Sequence, residues 1–263
     1  MADLVYLYGW VPAGGIAADE LRVRGIADRA VELMPCGPAL AVVSRVPAED
    51  YSPDRIEARL TDLHWLGDHG LAHERVVAAL VDRTTVLPMR LFTLFSSPAA
   101  VAEECAQRAD WVRETLERLD GLRQWDLKVS YESETMLATI GESSAEVAAI
   151  DAELAGAAPG RAYLLQKRRD DVARTEVRKA VAALGDEVLA ALEPVASETR
   201  RIAPPSNAEP GELPVILAAA LLVARDREPE LRERLAAESE RLAPRGVSIA
   251  CSGPWAAYRF VGS

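Results

Sequence analysis

His64, His69 and His73 are the three histidines of this chain, and they fall close together. Clustered imidazoles are a common start to a zinc or iron site. On a helix that advances about 100° per residue, His69 and His73 share a face while His64 lies roughly opposite His73. A three-histidine metal site on one unbroken helix is therefore geometrically excluded. A two-histidine site needs further ligands, and no His-Glu-x-x-His pattern surrounds this pair. The expected roles are capping, core or surface positions, with no metal and no cofactor.

Other chemistry-bearing patterns are equally incomplete. Gly9 to Gly15 follows a strand-like run but lacks the Gly-Lys-Ser/Thr ending of a phosphate loop and the G-x-G-x-x-G spacing of a dinucleotide fold. A turn is the expected reading, because glycine supplies positive φ at little steric cost. Gly141-Glu142-Ser143-Ser144 has no glycine two residues away on both sides of a serine, so it is no nucleophile elbow. Cys36, Cys105 and Cys251 are odd in number and scattered, without CxxC spacing. They predict neither a disulfide framework nor a zinc site, as expected in a reducing compartment. Acidic residues are dispersed over helix faces and first turns. No catalytic pair emerges, and a non-enzyme is expected.

Composition narrows the class. With 263 residues, 49% hydrophobic and 27% charged, the chain can bury a core of one large or two small domains. Aromatics make up only 5%, so that core is mainly aliphatic. A net charge of −11 repels phosphate backbones. The basic run Lys167-Arg168-Arg169 is followed at once by Asp170 and Asp171 and reads as a solvated helix face. Nucleic acid is not an expected partner. Nor is a membrane: the longest apolar run, Leu213 to Ala224, falls short of the ~20 residues a spanning helix needs. Met1 to Tyr6 lacks a basic segment and a long apolar one, so no signal peptide is expected and the protein reads as cytoplasmic.

The elements that would position these residues follow from pattern and punctuation. Leu4 to Val11 and Ala39 to Val46 predict buried strands, with a strand or an irregular piece over Ile26 to Met34. Ser52-Pro53-Asp54 is a helix start, with Ile56, Leu60, Leu63 and Leu66 or Gly67 at helical spacing to about His73 or beyond, a break near Gly67 or Gly70 being left open. Arg83 to Phe95 is extended, with Pro88 marking an edge or bulge. Ser97-Pro98 opens a helix that ends at Gly121, and Gln124 to Tyr131 alternates as a strand. Then come an alanine-rich helical stretch over Ser133 to Leu154 and a long helix from about Ala162 to Leu192. The long helix carries a coiled-coil-like seam of Val177, Val181, Leu184 and Val188. Val195 to Ile202 is compatible with a strand, and Ala203 to Gly211 is a loop by composition. Leu213 to Ala224 fits helix or strand, and strand is preferred. A helix over Pro229 to Leu242, a strand over Gly246 to Ala250 and an apolar tail through Trp255 close the chain.

The expected fold is therefore α+β, with two split-βαβ (ferredoxin-like) domains at 1–131 and 132–263. Trp10, Trp65, Trp111, Trp125 and Trp255 each fall in a predicted element. Core or half-buried packing is their default, and any left exposed is a natural binding anchor.

Three ordered sets of residues then carry a resemblance. They are Tyr6-Leu7-Tyr8-Gly9; Leu63-His64-Trp65-Leu66 and His73-Glu74-Arg75 with Val86-Leu87-Pro88-Met89-Arg90 and Gln124-Trp125-Asp126-Leu127-Lys128; and Ala162 to Arg169 with Gly253-Pro254-Trp255. Together they resemble the gas vesicle protein F/L family from end to end. Departures stand at Leu91-Phe92-Thr93, Gln124-Trp125 and Ala256-Ala257. The resemblance implies an accessory or minor component of gas vesicles, which are hollow protein shells that give buoyancy. Its implied partners are the small hydrophobic shell protein and other accessory proteins. The family-motif residues Trp65, His73, Pro88, Arg90, Trp125, Lys128, Gly253, Pro254 and Trp255 are expected to be structural. Arg90 and Lys128 should then pair with carboxylates, because charges beside a core are costly unpaired. Two other readings stay open: a small-ligand regulatory module of ferredoxin-like fold, and an enzyme, which a polar pocket holding two carboxylates or a His–carboxylate pair would revive.

Overall fold

The computed structural model describes residues 3–17, 20–203 and 211–262, so the proline-rich loop expected around 204–210 lies outside the described residues. The chain forms two compact units, Met1–Gln124 with Pro254–Ser263, and Trp125–Gly253. The closing tail, counted with the second half on sequence grounds, belongs to the first unit. Each unit is built on an antiparallel sheet, and the fold is α+β.

In the first unit the strands are β1 (Asp3–Pro12), β2 (Glu32–Cys36), β3 (Ala39–Pro47), β4 (Leu87–Pro88) and β5 (Leu94–Phe95). They run in the order β2-β3-β1-β4, and β5 also pairs with β1. β1 reads as a nearly continuous apolar run because both faces of this sheet are covered. Tyr6, Tyr8 and Val11 enter one apolar cluster, while Val5, Leu7 and Trp10 enter another. A register shift between Leu7 and Gly9 inserts one extra residue, so the alternation resumes on the opposite phase after Tyr8. At Gly9 a Cβ would lie 2.6 Å from the Leu87 carbonyl oxygen, so only glycine allows β4 to close on β1 here.

The helices of this unit are α1 (Ala48–Tyr51), α2 (Pro53–Glu57), α3 (Leu63–Val81), α4 (Pro98–Gln107) and α5 (Ala109–Arg118). Three expectations are corrected here. The helix read from Ser52 to about His73 stops at Glu57. A new one starts after Asp62, whose Oδ1 accepts from the backbone N–H of His64 and Trp65, each at 3.1 Å. A side chain that caps competes with continuation of the helix through it. The helix read from Ser97 breaks at Arg108, where φ −110 and ψ 14 leave the helical region. The extended run over Arg83 to Phe95 shrinks to the two short strands β4 and β5. Between them the Arg90 carbonyl accepts from the Thr93 N–H and hydroxyl, and Phe92 adopts φ +62. This unit also departs from split βαβ: its first three strands precede its first α-helix.

The second unit contains β6 (Leu122–Tyr131), α6 (Ser133–Ser143), α7 (Ala145–Leu154), α8 (Pro159–Leu192), β7 (Glu198–Ile202), β8 (Val215–Ala224), α9 (Glu228–Leu242) and β9 (Val247–Trp255). Its sheet runs β7-β8-β6-β9. The ambiguous segment at Leu213 is thus a strand from Val215 on. α8 has 34 residues, about 51 Å at 1.5 Å per residue. Val177, Leu184 and Val188 of its seam are buried in the unit's own core beside Met136, Leu217 and Leu231. The amphipathic period is there, and the sheet and neighbouring helices fill it. At its other end α8 is tied to α7 by Arg169, whose Nε and Nη2 donate to Asp151 at 2.5 and 3.2 Å. No helix among the described residues is long and apolar enough to cross a membrane.

Candidate functional site

The polar groups that the sequence singled out converge inside the first unit. β1 presents Tyr6 and Tyr8 on one face, and α3 lays Trp65, His69 and His73 along one stripe, four residues apart each time. His73 is 2% exposed. The Phe92 N–H donates to Tyr6 Oη at 3.2 Å, and Tyr6 Oη lies 2.7 Å from His73 Nδ1. His73 Nε2 lies 3.1 Å from Tyr258 Oη, which donates to Glu74 Oε1 at 2.7 Å. Because the Tyr258 proton is committed to the carboxylate, its oxygen must accept from His73 Nε2–H. Nδ1 is then left to accept the Tyr6 proton, and the chain of bonds assigns one neutral tautomer.

His69 takes the opposite tautomer. Its Nδ1 lies 2.7 Å from the Trp65 carbonyl, which can only accept, so Nε2 accepts the Tyr51 hydroxyl at 2.9 Å. Trp65 stacks on Phe92 with ring centroids 5.0 Å apart and 13° between planes. Arg59 lies 5.6 Å from the Trp65 centroid. His64, by contrast, is exposed at the first turn of α3. The helical argument that separated it from the other two holds in three dimensions.

Electrostatics follow burial. Desolvation pushes His73 down to about 4, so the imidazole is neutral at ordinary pH. Burial also raises the phenols of Tyr6 and Tyr258, with the Glu74 carboxylate adding to the rise at Tyr258. None of these three groups is poised to exchange a proton near pH 7, which acid–base catalysis would need. Among the described residues no group of three His, Cys, Asp or Glu side chains is placed to hold a metal. What the arrangement does is join strand, helix, turn and tail through satisfied polar atoms.

The remaining motif residues do not gather in one place. Pro88 is buried in β4 at the sheet edge. Arg90 is exposed and has no carboxylate partner among the described residues, contrary to expectation. An exposed guanidinium does not carry the cost of a buried unpaired charge, so no partner is required. Lys128 lies 3.9 Å from Glu212, both half-exposed, a pair of little energetic weight. Trp125 is buried with Arg232 5.2 Å from its ring centroid, and its Nε1 finds no acceptor among the described residues. Gly253 has φ +143, Pro254 is half-buried, and Trp255 is 38% exposed.

Several residues of the cluster had gone unremarked as a site: Tyr51, Glu74, Phe92 and Tyr258. The i, i+2 spacing of Tyr6 and Tyr8 on a strand does signal one shared face. Nothing local signals Tyr258, which meets His73 across 185 residues. The cysteines bring a correction. Cys36 and Cys105, 69 residues apart, form a disulfide from β2 to α4 with a Cα–Cα distance of 5.9 Å. Spacing could not show this, because the pairing arises only when α4 packs on the sheet. Cys251 stays free, and burial pushes its thiol up to about 11.

These features define an α+β protein built on two antiparallel sheets. The chain belongs to the gas vesicle synthesis protein GvpL/GvpF family, whose model matches residues 4–262. It is 32% identical to gas vesicle protein L of Streptomyces sp. (strain CB03234), over 98% of this chain and 93% of that protein. The crystal structure of gas vesicle protein GvpF from Anabaena sp. PCC7120 superposes with a TM-score of 0.77 at 17% identity, covering 100% of this chain and 99% of the other. GvpF from Microcystis aeruginosa gives 0.70 at 18% identity, with all of both chains covered. At such identities the structural likeness concerns the fold. The family places the chain in gas vesicle formation and outside the known enzyme families.

Proposed function

We propose that this chain is a cytoplasmic accessory or minor structural protein of the gas vesicle that assists assembly by binding the small hydrophobic shell protein and other accessory proteins. The observation that carries this reading is family membership over essentially the whole chain, 4–262. The histidine cluster supports it, because its polar groups satisfy one another. In the same reading Trp65, His73, Pro88, Arg90, Trp125, Lys128, Gly253, Pro254 and Trp255 are structural, building the scaffold on which partner surfaces sit. The second unit's order β-α-β-β-α-β, with strands β7-β8-β6-β9, supports a split-βαβ description of that unit.

The test is co-expression with the gas vesicle shell protein from one plasmid, followed by affinity capture of this chain. The expected outcome is soluble, stoichiometric co-purification. A shell protein that stays insoluble and uncaptured would defeat direct binding and shift the search to other vesicle accessory proteins.

A further inference from the structure

Beside the histidine cluster, in the first unit, lies an open cleft of about 660 Å³. Its walls are Leu4, Ile56, Leu60, Phe92, Leu94 and Phe95, contributed by β1, α2 with the turn after it, and the Phe92 turn with β5. We propose that this cleft docks a helical segment of a partner protein, one whose apolar face is flanked by lysine or arginine. The proposal rests on the reading above that the chain works by binding proteins, and names where and what chemistry.

Three observations converge on it. First, the cleft is preformed. Phe92 is held at φ +62, a conformation bulky residues rarely adopt, by its N–H bond to Tyr6 Oη and its stacking on Trp65. Such strain persists where the surroundings over-determine it, and it clusters at functional surfaces. Tyr51, another lining residue, has its hydroxyl already taken by His69.

Second, large apolar side chains stay exposed here: Leu60 of the cleft wall is 49% exposed, and Leu63, three residues on in the chain, is 80% exposed. A helix about 10 Å across is broad enough to cover the cleft and its rim together, in the helix-in-groove mode.

Third, the one charged side chain among the described lining residues is acidic, Glu57. It stands in a segment, residues 48–62, that carries Glu49, Asp50, Asp54, Glu57 and Asp62 against Arg55 and Arg59. Asp62 is used as a helix cap and Arg59 lies over Trp65. Glu57, a lining residue, has no cationic partner among the described residues. A carboxylate covered by an apolar partner must be paired or it disfavours the complex. The complementary segment therefore brings its own cation. A second acidic copy of this chain would not supply it.

The experiment uses the full chain and a fluorescein-labelled Leu/Ala-faced helical peptide of about four turns with flanking lysines, read by anisotropy. A scrambled peptide of identical composition controls for attraction to net charge, and a glutamate-flanked twin controls for apolarity alone. Saturable binding of the lysine-flanked peptide is expected. Leu60→Asp should weaken it roughly tenfold or more, and Glu57→Lys should reverse the preference toward the glutamate-flanked twin. Circular dichroism checks that both variants fold. In the unaltered chain, peptide addition should slow amide exchange at 51–60 and 92–96, which tests the site without any variant.

Equal binding of the scrambled peptide, or binding indifferent to Leu60→Asp with no protection at those segments, overturns the proposal. So does a dimer that Leu60→Asp dissolves, or tight binding of decanoate without peptide binding; these would assign the cleft to a second copy or to a small amphiphile. Capture of vesicle proteins by the chain despite a negative peptide result would sink this cleft and leave the proposed function standing. Peptide binding without capture of vesicle proteins would do the reverse.

Discussion

His73 is a base buried where it cannot keep a proton, and this makes stability depend on pH in a definite direction. Burial holds its folded value at about 4, below the 6.5 of a free imidazole. Between those values the unfolded chain binds the proton and the folded chain does not, so stability rises with pH through this window. The contribution is fully present above about 6.5 and is lost as pH falls toward 4. A shift of this size corresponds to roughly 3 kcal/mol. His73→Gln should therefore be less stable near neutrality but show a flatter dependence between pH 6.5 and 4. Denaturant titrations of both proteins across that window measure this; identical slopes would show that His73 does not hold its neutral form. At this scale the sequence revealed that His69 and His73 share a helix face. It did not reveal that each would meet a tyrosine, since Tyr51, Tyr6 and Tyr258 arrive from three separate segments.

Helix ends are decided by single side chains, and Asp62 shows how closely two outcomes compete. Ile56, Leu60 and Leu63 keep a helical period straight through the break, so periodicity alone joined α2 to α3. The carboxylate of Asp62 instead satisfies two N–H groups at the start of α3, as N-caps do. Asp62→Ala should destabilise the protein by about 1 kcal/mol and fray the turn carrying His64 and Trp65. Amide exchange at 63–66 would report the fraying, and unchanged protection there would remove the cap from the account. At Arg108 the backbone leaves the helical region with no side-chain cap, and at Phe92 a local turn bonds Thr93 to the Arg90 carbonyl; in both places local spacing favoured a longer element. β1 is the opposite case. Its apolar run correctly predicted a buried strand, yet the extra residue at Tyr8 that divides its side chains between two clusters needs the partner strand to be seen.

The path of the whole chain ends where it began, in the first unit. Ala256, Ala257 and Phe260 are buried there, Arg118 Nη2 donates to the Phe260 carbonyl at 2.6 Å, and the Arg259 N–H donates to Gln124 Oε1 at 2.9 Å. The tail also supplies Tyr258 to the histidine cluster. Removing 254–263 should cost about 3 kcal/mol or more from the lost phenylalanine alone. Limited proteolysis should then cut the truncated chain faster within 20–124 than the intact one, and equal rates would show the tail to be dispensable. That the tail packs down was legible from its apolar residues; which unit it packs on was not. Alone, the sequence determined the α+β class, the long amphipathic helix and the family, because these rest on local periodicity, turn chemistry and ordered motifs; at Leu213 to Ala224 it preferred a strand over a helix without deciding between them. Only the tertiary structure decided the Cys36–Cys105 pair, the tautomer of His73, the strained Phe92 turn and the cleft beside it that Glu57 borders. Each of those depends on side chains distant in the chain being brought within a few ångströms, and no local pattern encodes such a distance.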